Sequence, residues 1–274
     1  MLSNIKAIVP ENLIQLAKKT PKVPVAIVCA QQESVIESAK QACDLNLIDP
    51  IFIGIKSQII NEAEKINWDI DNFKIIDCEN DQDSAIEAAS LAKENQIKVM
   101  IKGNIHTDIL MRTYLKKDFS LLGTKRLSHI WHMTIPKNSK PLFITDGALN
   151  VAPRVDVKIH ILNNVVEFAK KINITKPKVA ILSGTEDPIE SMPSSMDAKT
   201  IMERAIKNNI DAFVHGPLAF DNAVSPEAAK IKKINNEVAG KADILLVPNL
   251  ETGNSLSKIM VYFMGACAAG FIVG

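Results

Sequence analysis

The sequence predicts an α/β protein made of two domains of parallel βαβ units. Short apolar runs alternate with helix-period segments almost from end to end, the pattern of strands joined by crossover helices. At 274 residues the chain exceeds the roughly 100–200 residues of one typical domain, and 47% apolar with 23% charged residues is ordinary for a globular protein.

The first domain is read as residues 1–147. PVAIVCA (24–30) is a buried strand, and the following helix places Val35, Ile36, Ala39 and Ala42 on one face. DPIFIGI (49–55), FKIIDC (73–78) and IKVMIKG (97–103) are three more strands, with helices starting near Lys56, over 84–95 and at Thr107. RLSHIWHM (126–133) alternates polar and apolar residues, which predicts an antiparallel or edge strand, and PLFITD (141–146) closes the domain. The loop 147–156 is the predicted crossing. The second domain, 148–274, then has a long helix to Lys171, strands at 177–184, 211–216, 242–248 and 266–273, and helices near 197–208, 227–233 and 253–264. The uncharged stretch Ile259 to Gly274 is read as a buried helix entering a buried core strand, with further chain expected after Gly274.

Several function classes are disfavoured at once. Thirty-two Lys and Arg against 31 Asp and Glu leave a net charge of +1, so no global field gathers nucleic acid or an anionic membrane, and an anion needs a local site. Cys29, Cys43, Cys78 and Cys267 form no C-x-x-C pair, which argues against structural zinc or a disulfide framework and fits a reducing cytoplasm. The N-terminus lacks a signal-peptide apolar run, and no segment reaches spanning length. G-x-G-x-x-G after the first strand, Walker A and G-x-S-x-G patterns are all missing.

In open α/β sheets ligands sit beyond the carboxyl ends of strands, so the loops there are the candidates. Lys102, Gly103, Asn104, Ile105, His106, Thr107 and Asp108 lead into a helix, with Arg112 one turn on. Thr107 or Asp108 is the expected cap, and the first-turn N–H groups with Lys102 and Arg112 suit a phosphate. A capped helix with two solvated bases explains the same residues. His129 and His132, at i and i+3 on a strand, point to opposite faces and do not share a metal. Thr145, Asp146 and Gly147 end a strand, where Asp146 either orients a ligand or makes an Asp-Gly turn. Ser183-Gly184-Thr185-Glu186 opens a loop rich in Pro and Ser. His215-Gly216-Pro217 forms a turn leading to Asp221, and Asn249 through Asn254 begins a helix.

In this order, KGNIHTDILMR (102–112), ITDGALNVAP (144–153), PKVAILSGTEDPIESMPSSMDA (177–198), GPLAFDNAVS (216–225) and VAGKADILLVPNLETGN (238–254) resemble the phosphate acetyl/butyryltransferase family. The resemblance implies the two-domain α/β architecture of isocitrate and isopropylmalate dehydrogenases, with a cleft between the domains, and a homodimer. It implies reversible acyl transfer between CoA and inorganic phosphate, with CoA a substrate and neither metal nor resident cofactor. The implied partners are CoA, acyl phosphate and phosphate. Phosphate is expected near Arg112 and the Thr145, Asp146 and Gly147 turn, with Ser183, Asn249, Gly253 and Asn254 facing it; Lys102, His106, Thr107, His129, Pro217 and Asp221 complete the candidates. Acetyl is the expected acyl group. The alternatives are a butyryl group, since KGNIHTD and PLAFDNA look more like that branch, and a chain that binds CoA and phosphate without turnover.

Two departures from the family pattern stand out. His215 occupies a position where an Asp is usual, and the family's Ser-Arg pair and following Asp, regarded as central to catalysis, would lie beyond Gly274. A decarboxylating dehydrogenase on the same architecture would need an aspartate cluster and a nicotinamide loop, and the sequence has neither.

Overall fold

The computed structural model describes residues 2–136 and 140–274. They form two compact units, one of Ile14–Gly123 and one of Met1–Leu13 with Thr124–Gly274.

The smaller unit follows α1 (Glu11–Ala17), which straddles the boundary. It comprises β1 (Val23–Val28), α2 (Glu33–Asp44), β2 (Ile48–Gly54), α3 (Lys56–Lys65), β3 (Lys74–Asp77), α4 (Asp81–Lys93), β4 (Val99–Lys102) and α5 (Thr107–Tyr114). Its four strands are parallel in the order β3-β2-β1-β4. Period-two alternation sorts the layers: Val25 and Ile27 meet Ile36, Ala39, Ile59 and Ala63 of α2 and α3, while Ala26 and Val28 meet Ala85, Ala88 and Leu91 of α4. Because β1 is followed on one side by β2 and β3 and on the other by β4, the strand order reverses between β1 and β4. In open α/β sheets such a reversal is where ligands bind, beyond the carboxyl ends of the strands.

The larger unit contains β5 (Ser128–Thr134), β6 (Leu142–Thr145), α6 (Val155–Lys171), β7 (Lys178–Leu182), α7 (Pro193–Lys207), β8 (Phe213–Leu218), α8 (Phe220–Val224), α9 (Pro226–Ile231), β9 (Ile244–Leu246), α10 (Leu250–Met264) and β10 (Cys267–Val273). They build a six-stranded sheet, β10-β5-β6-β9-β7-β8. On one face Ile130, Phe143, Val179 and Ile244 bury against α6 and α7; on the other, Met133, Ile144, Ala180 and Leu245 bury against Ala223 and Met260. Each fully buried Ile or Phe of these layers contributes about 1.5–3 kcal/mol.

Three sequence expectations are corrected. The division falls at 123/124 rather than 147/148, because β5 and β6 pair into the second sheet: β6 runs parallel to β9, and β5 joins β6 to β10. β5 is antiparallel as its alternation predicted, but it is interior, not an edge. Conversely β10 is an edge strand, with Phe271 37% and Ile272 41% exposed, and α10 leaves Tyr262 and Phe263 in the open, so an uncharged run did not mean a buried one. Gly216 and Pro217 lie inside β8, where the register to β7 shifts between Ala180 and Leu182; that irregularity accommodates a residue without an N–H in a ladder.

The Lys158 ammonium on α6, only 5% exposed, is paired with Asp197 of α7 at 2.9 Å and locks the first turns of the two helices together. Replacing Asp197 by Ala strands a buried charge, and urea denaturation should show a loss of about 3 kcal/mol. A change under about 0.5 kcal/mol would mean the pair holds nothing.

Candidate functional site

In the smaller unit the carboxyl ends of β1 and β4 are bordered by residues 102–108. Gly103 N–H donates to Val28 O and Asn104 N–H to Cys29 O, both at 2.8 Å, so the loop is stitched to the end of β1. Gly103 is required sterically: a Cβ there would come within 2.4 Å of Cys29 O and 2.7 Å of Val28 O, backbone atoms that cannot yield. Lys102, His106, Thr107 and Arg112 are all exposed at this end of the sheet. The expected cap by Thr107 or Asp108 is not formed. His106 is the N-cap of α5 and makes no side-chain cap bond, so no side chain caps the first turn, although the Asp108 carboxylate lies within it. Arg112, with its side chain 81% exposed, makes a loose 3.8 Å pair with Asp108 and remains available to an anion. Farther along the same edge, a cavity of about 590 Å³ opens beside Lys56, Ser57, Asp77 and Cys78.

In the larger unit the carboxyl ends of β6, β9, β7 and β8 lie along one edge, and the antiparallel β5 brings its beginning there. That geometry gathers His129, Thr145, Asp146, Ser183 and Asn249. Pro217, inside β8, and exposed Asp221, on α8, follow at the far side.

Asp146, 2% exposed, is the hub of this edge. Its carboxylate accepts from His129 N–H at 3.0 Å, Ala148 N–H at 3.0 Å, Leu149 N–H at 2.9 Å and Asn150 Nδ2 at 2.7 Å. Thr145 Oγ1 donates to His129 O at 2.8 Å and completes a two-sided clamp. Of the two readings open from sequence, the turn-forming one describes these contacts. The start of α10 is also internally served. Asn249 Oδ1 caps Thr252 N–H at 3.0 Å, and Leu250 N–H reaches Val151 O at 2.9 Å. Gly253 packs against Gly147, and Asn254 Nδ2 reaches Gly147 O at 3.4 Å. Ser183 Oγ lies 2.9 Å from Ser194 Oγ, a hydroxyl pair at the mouth of the loop after β7.

His129 and His132 do face opposite ways, one edge-on to Trp131 and the other to Phe143. Among the described residues no group of three or more His, Cys, Asp or Glu side chains is placed to hold a metal ion. Burial pushes the His129 imidazole below its ordinary value of 6.5, against an upward pull from Asp146. Burial likewise lowers His132 and His215. Two residues that sequence reasoning passed over lie at this edge: Trp131, which packs against Gly147, and Ser194, which meets Ser183. Trp131 carried the signal of sharing a strand face with His129, two residues away.

The two units are thus α/β sheets whose carboxyl edges carry an uncapped helix start with exposed bases on one, and a rigid, glycine-lined turn on the other. This is the equipment of a protein that handles a small anionic substrate. Residues 79–274 match the model of the phosphate acetyl/butaryl transferase family. Over 265 residues, 96% of this chain, it is 35% identical to a phosphate acetyltransferase of Rhizobium meliloti, covering 84% of that protein. It is also 35% identical over 265 residues to a phosphate butyryltransferase of Clostridium beijerinckii, covering 96% of this chain and 88% of that one. A crystal structure of a branched-chain phosphotransacylase from Enterococcus faecalis V583 superposes with a TM-score of 0.81 at 32% identity, over 92% of this chain and 88% of that one. The chain belongs to the phosphate acetyl/butaryl transferase family and is an acyltransferase.

Two measurements test the site's physics. Asp146→Ala leaves four donors without an acceptor and should cost about 3 kcal/mol or more in denaturant unfolding; a stable variant would remove the hub. His129, His132 and His215 have lowered folded-state values, so the unfolded chain binds more protons below about 6.5. Stability should therefore rise with pH through that window and be lost as the pH falls. Denaturation midpoints from pH 7.5 to 5.5 should decline, and His129→Gln should flatten the slope; an unaltered slope would show that His129 does not contribute.

Proposed function

We propose that the protein is a phosphate acetyltransferase, interconverting acetyl-CoA and phosphate with acetyl phosphate and CoA. The observation that carries this is the 35% identity, sustained over 96% of the chain, to a protein of that activity. In the direction that forms acetyl-CoA the CoA sulfur attacks the acyl carbon of acetyl phosphate, a C–S bond forms as the C–O bond to phosphate breaks, and the thiol proton passes to a base or to the departing phosphate. The transfer balances without an oxidant or a covalent enzyme intermediate, so neither a metal nor a resident cofactor is invoked. Positioning and charge stabilisation then supply the rate.

The uncapped start of α5, with Lys102, His106, Thr107 and Arg112, is the better-equipped place for a phosphate group, since these side chains are exposed and no side chain caps the helix. The sequence-based placement on the Thr145, Asp146 and Gly147 turn is weaker, because Asp146 has already taken up Ala148 and Leu149 N–H. Ser183, Asn249, Gly253, Asn254, Pro217 and Asp221 remain proposed substrate contacts of the larger unit.

A butyryl substrate is the second reading, favoured by an equal identity to the Clostridium beijerinckii enzyme. We further infer a homodimer: the exposed Tyr262, Phe263, Phe271 and Ile272 are the kind of surface a second copy covers. Four free cysteines fit a reducing cytoplasm. No helix among the described residues is long and apolar enough to cross a membrane.

The purified chain should catalyse phosphate-dependent release of CoA from acetyl-CoA, with butyryl-CoA assayed beside it. Arg112→Ala should raise the KM for phosphate about tenfold or more, while folding normally. Failure of the folded wild type to turn over either thioester would defeat the reading, and an unchanged KM would take Arg112 out of the site.

A further inference from the structure

None of the side chains gathered at the carboxyl edge of the larger sheet carries a positive charge at neutral pH. Thr145, Ser183 and Asn249 are neutral, burial keeps the His129 imidazole uncharged, and Asp146 and Asp221 are acidic. An oxyanion arriving there needs a cation from a neighbouring segment. The strand register supplies one. β5 is antiparallel to β6, and Ile130 pairs with Thr145, the last residue of β6. The chain ahead of Ile130 therefore runs past the end of β6, and Arg126, two residues before β5 begins, stands on the side of the sheet where ligands of open α/β proteins sit.

Arg126 is exposed to solvent, yet it is held at both ends. Its backbone O accepts at 2.8 Å from Nδ2 of Asn164, a buried side chain of α6, and its Nε donates to Asn150 Oδ1 at 3.3 Å. Asn150 is itself fixed, because its Nδ2 donates to Asp146 at 2.7 Å and to Leu127 O at 3.0 Å. A planar guanidinium tethered through Nε presents its two terminal amino groups as a fork. No hydrogen bond or ion pair among the described residues engages those two groups. Asp146 does not quench them, since its oxygens are taken up by four other donors. The adjacent Lys125, by contrast, is spent on Glu167, with contacts of 2.6 and 2.8 Å.

We propose that Arg126 is a phosphate-binding residue of the larger unit, its two terminal amino groups taking two oxygens of one phosphate group of a substrate. This rests on the acyltransferase reading above. Two parallel N–H···O bonds to one phosphate are the geometry a guanidinium suits and an ammonium does not reproduce. The reaction offers that chemistry from two sources, the phosphate exchanged with the acyl group and the phosphate groups of CoA.

The test uses the full chain. Arg126→Ala should raise one KM by about tenfold or more while kcat changes by less than about threefold. A rise in the KM for inorganic phosphate places the exchanged phosphate at the fork. A rise in the KM for acetyl-CoA places CoA there, and acetyl-pantetheine, which has no phosphate, should then not distinguish wild type from variant. Arg126→Lys keeps the charge without the fork and should recover only part of the loss; full recovery would mean that charge alone acts and would overturn the fork. Lys125→Ala, which removes the neighbouring base, should leave both KM values within about twofold of wild type. A merely structural arginine would lower the denaturation midpoint or kcat and leave both KM values in place. That outcome in folded Arg126→Ala, or an equal KM rise in Lys125→Ala, overturns the proposal.

A second measurement does not depend on turnover. Calorimetric titration of the wild type with CoA and, separately, with inorganic phosphate reads binding alone. At least one of the two should bind saturably, and Arg126→Ala should weaken that one by about tenfold. Weakened binding in the variant together with a wild type that does not turn over supports the fork and defeats the reaction. Binding unchanged in the variant overturns the fork whether or not the wild type turns over, and a folded wild type that neither binds nor turns over defeats both.

Discussion

A single carboxylate with its four donors fixes the geometry of the larger unit's carboxyl edge. Asp146 ties the first residue of β5's inward face, the turn after β6 and Asn150 into one cluster, and it is buried while doing so. Charge-assisted bonds to backbone N–H groups are about twice as strong as neutral ones, and here they act where water does not compete. The Thr145 hydroxyl adds the reciprocal contact to His129 O. Consequently the positions of His129, Gly147 and, through Gly147, Gly253 are not independent. Moving one strand end moves the others, so the loops at this edge are held by one shared network.

The secondary structure was largely legible because period-two and 3.6-residue patterns are written into buried strands and amphipathic helices. Val25 to Val28 with Ile36 and Ala39 show this directly: each position read as apolar found its layer. The division between units was less legible. Segments 126–133 and 141–146 look like a continuation of the preceding series, and nothing local reveals that their partners are β9 and β10, the second of which lies more than a hundred residues on. Strand pairing is a long-range fact. The same blindness affected residues 266–273, where hydrophobicity indicated burial but the strand lies at an edge.

The candidate site was visible as loops but not as chemistry. Position at strand ends singled out Lys102 to Arg112 and Thr145 to Asn150, which the structure places at the carboxyl edges of the two sheets. What sequence alone did not settle was which polar groups remain free. Asp146 and Asn249 are spent on their own backbone, whereas α5, flanked by residues well able to cap it, goes without a side-chain cap. Nor did Trp131 declare itself: an aromatic in an alternating strand is most often core, and its unpartnered Nε1 emerges only once Gly147 and Gly270 are seen to enclose it.

The different treatment of the two helix starts has a consequence for dynamics. At α10 the Asn249 side chain holds the first turn, so its amides are shielded whether or not a ligand is present. At α5 no side chain caps the first turn, so fraying there breaks no side-chain bond. The two starts therefore differ in what local opening costs: at α10 the Asn249 contact must be given up, and at α5 no cap has to be released.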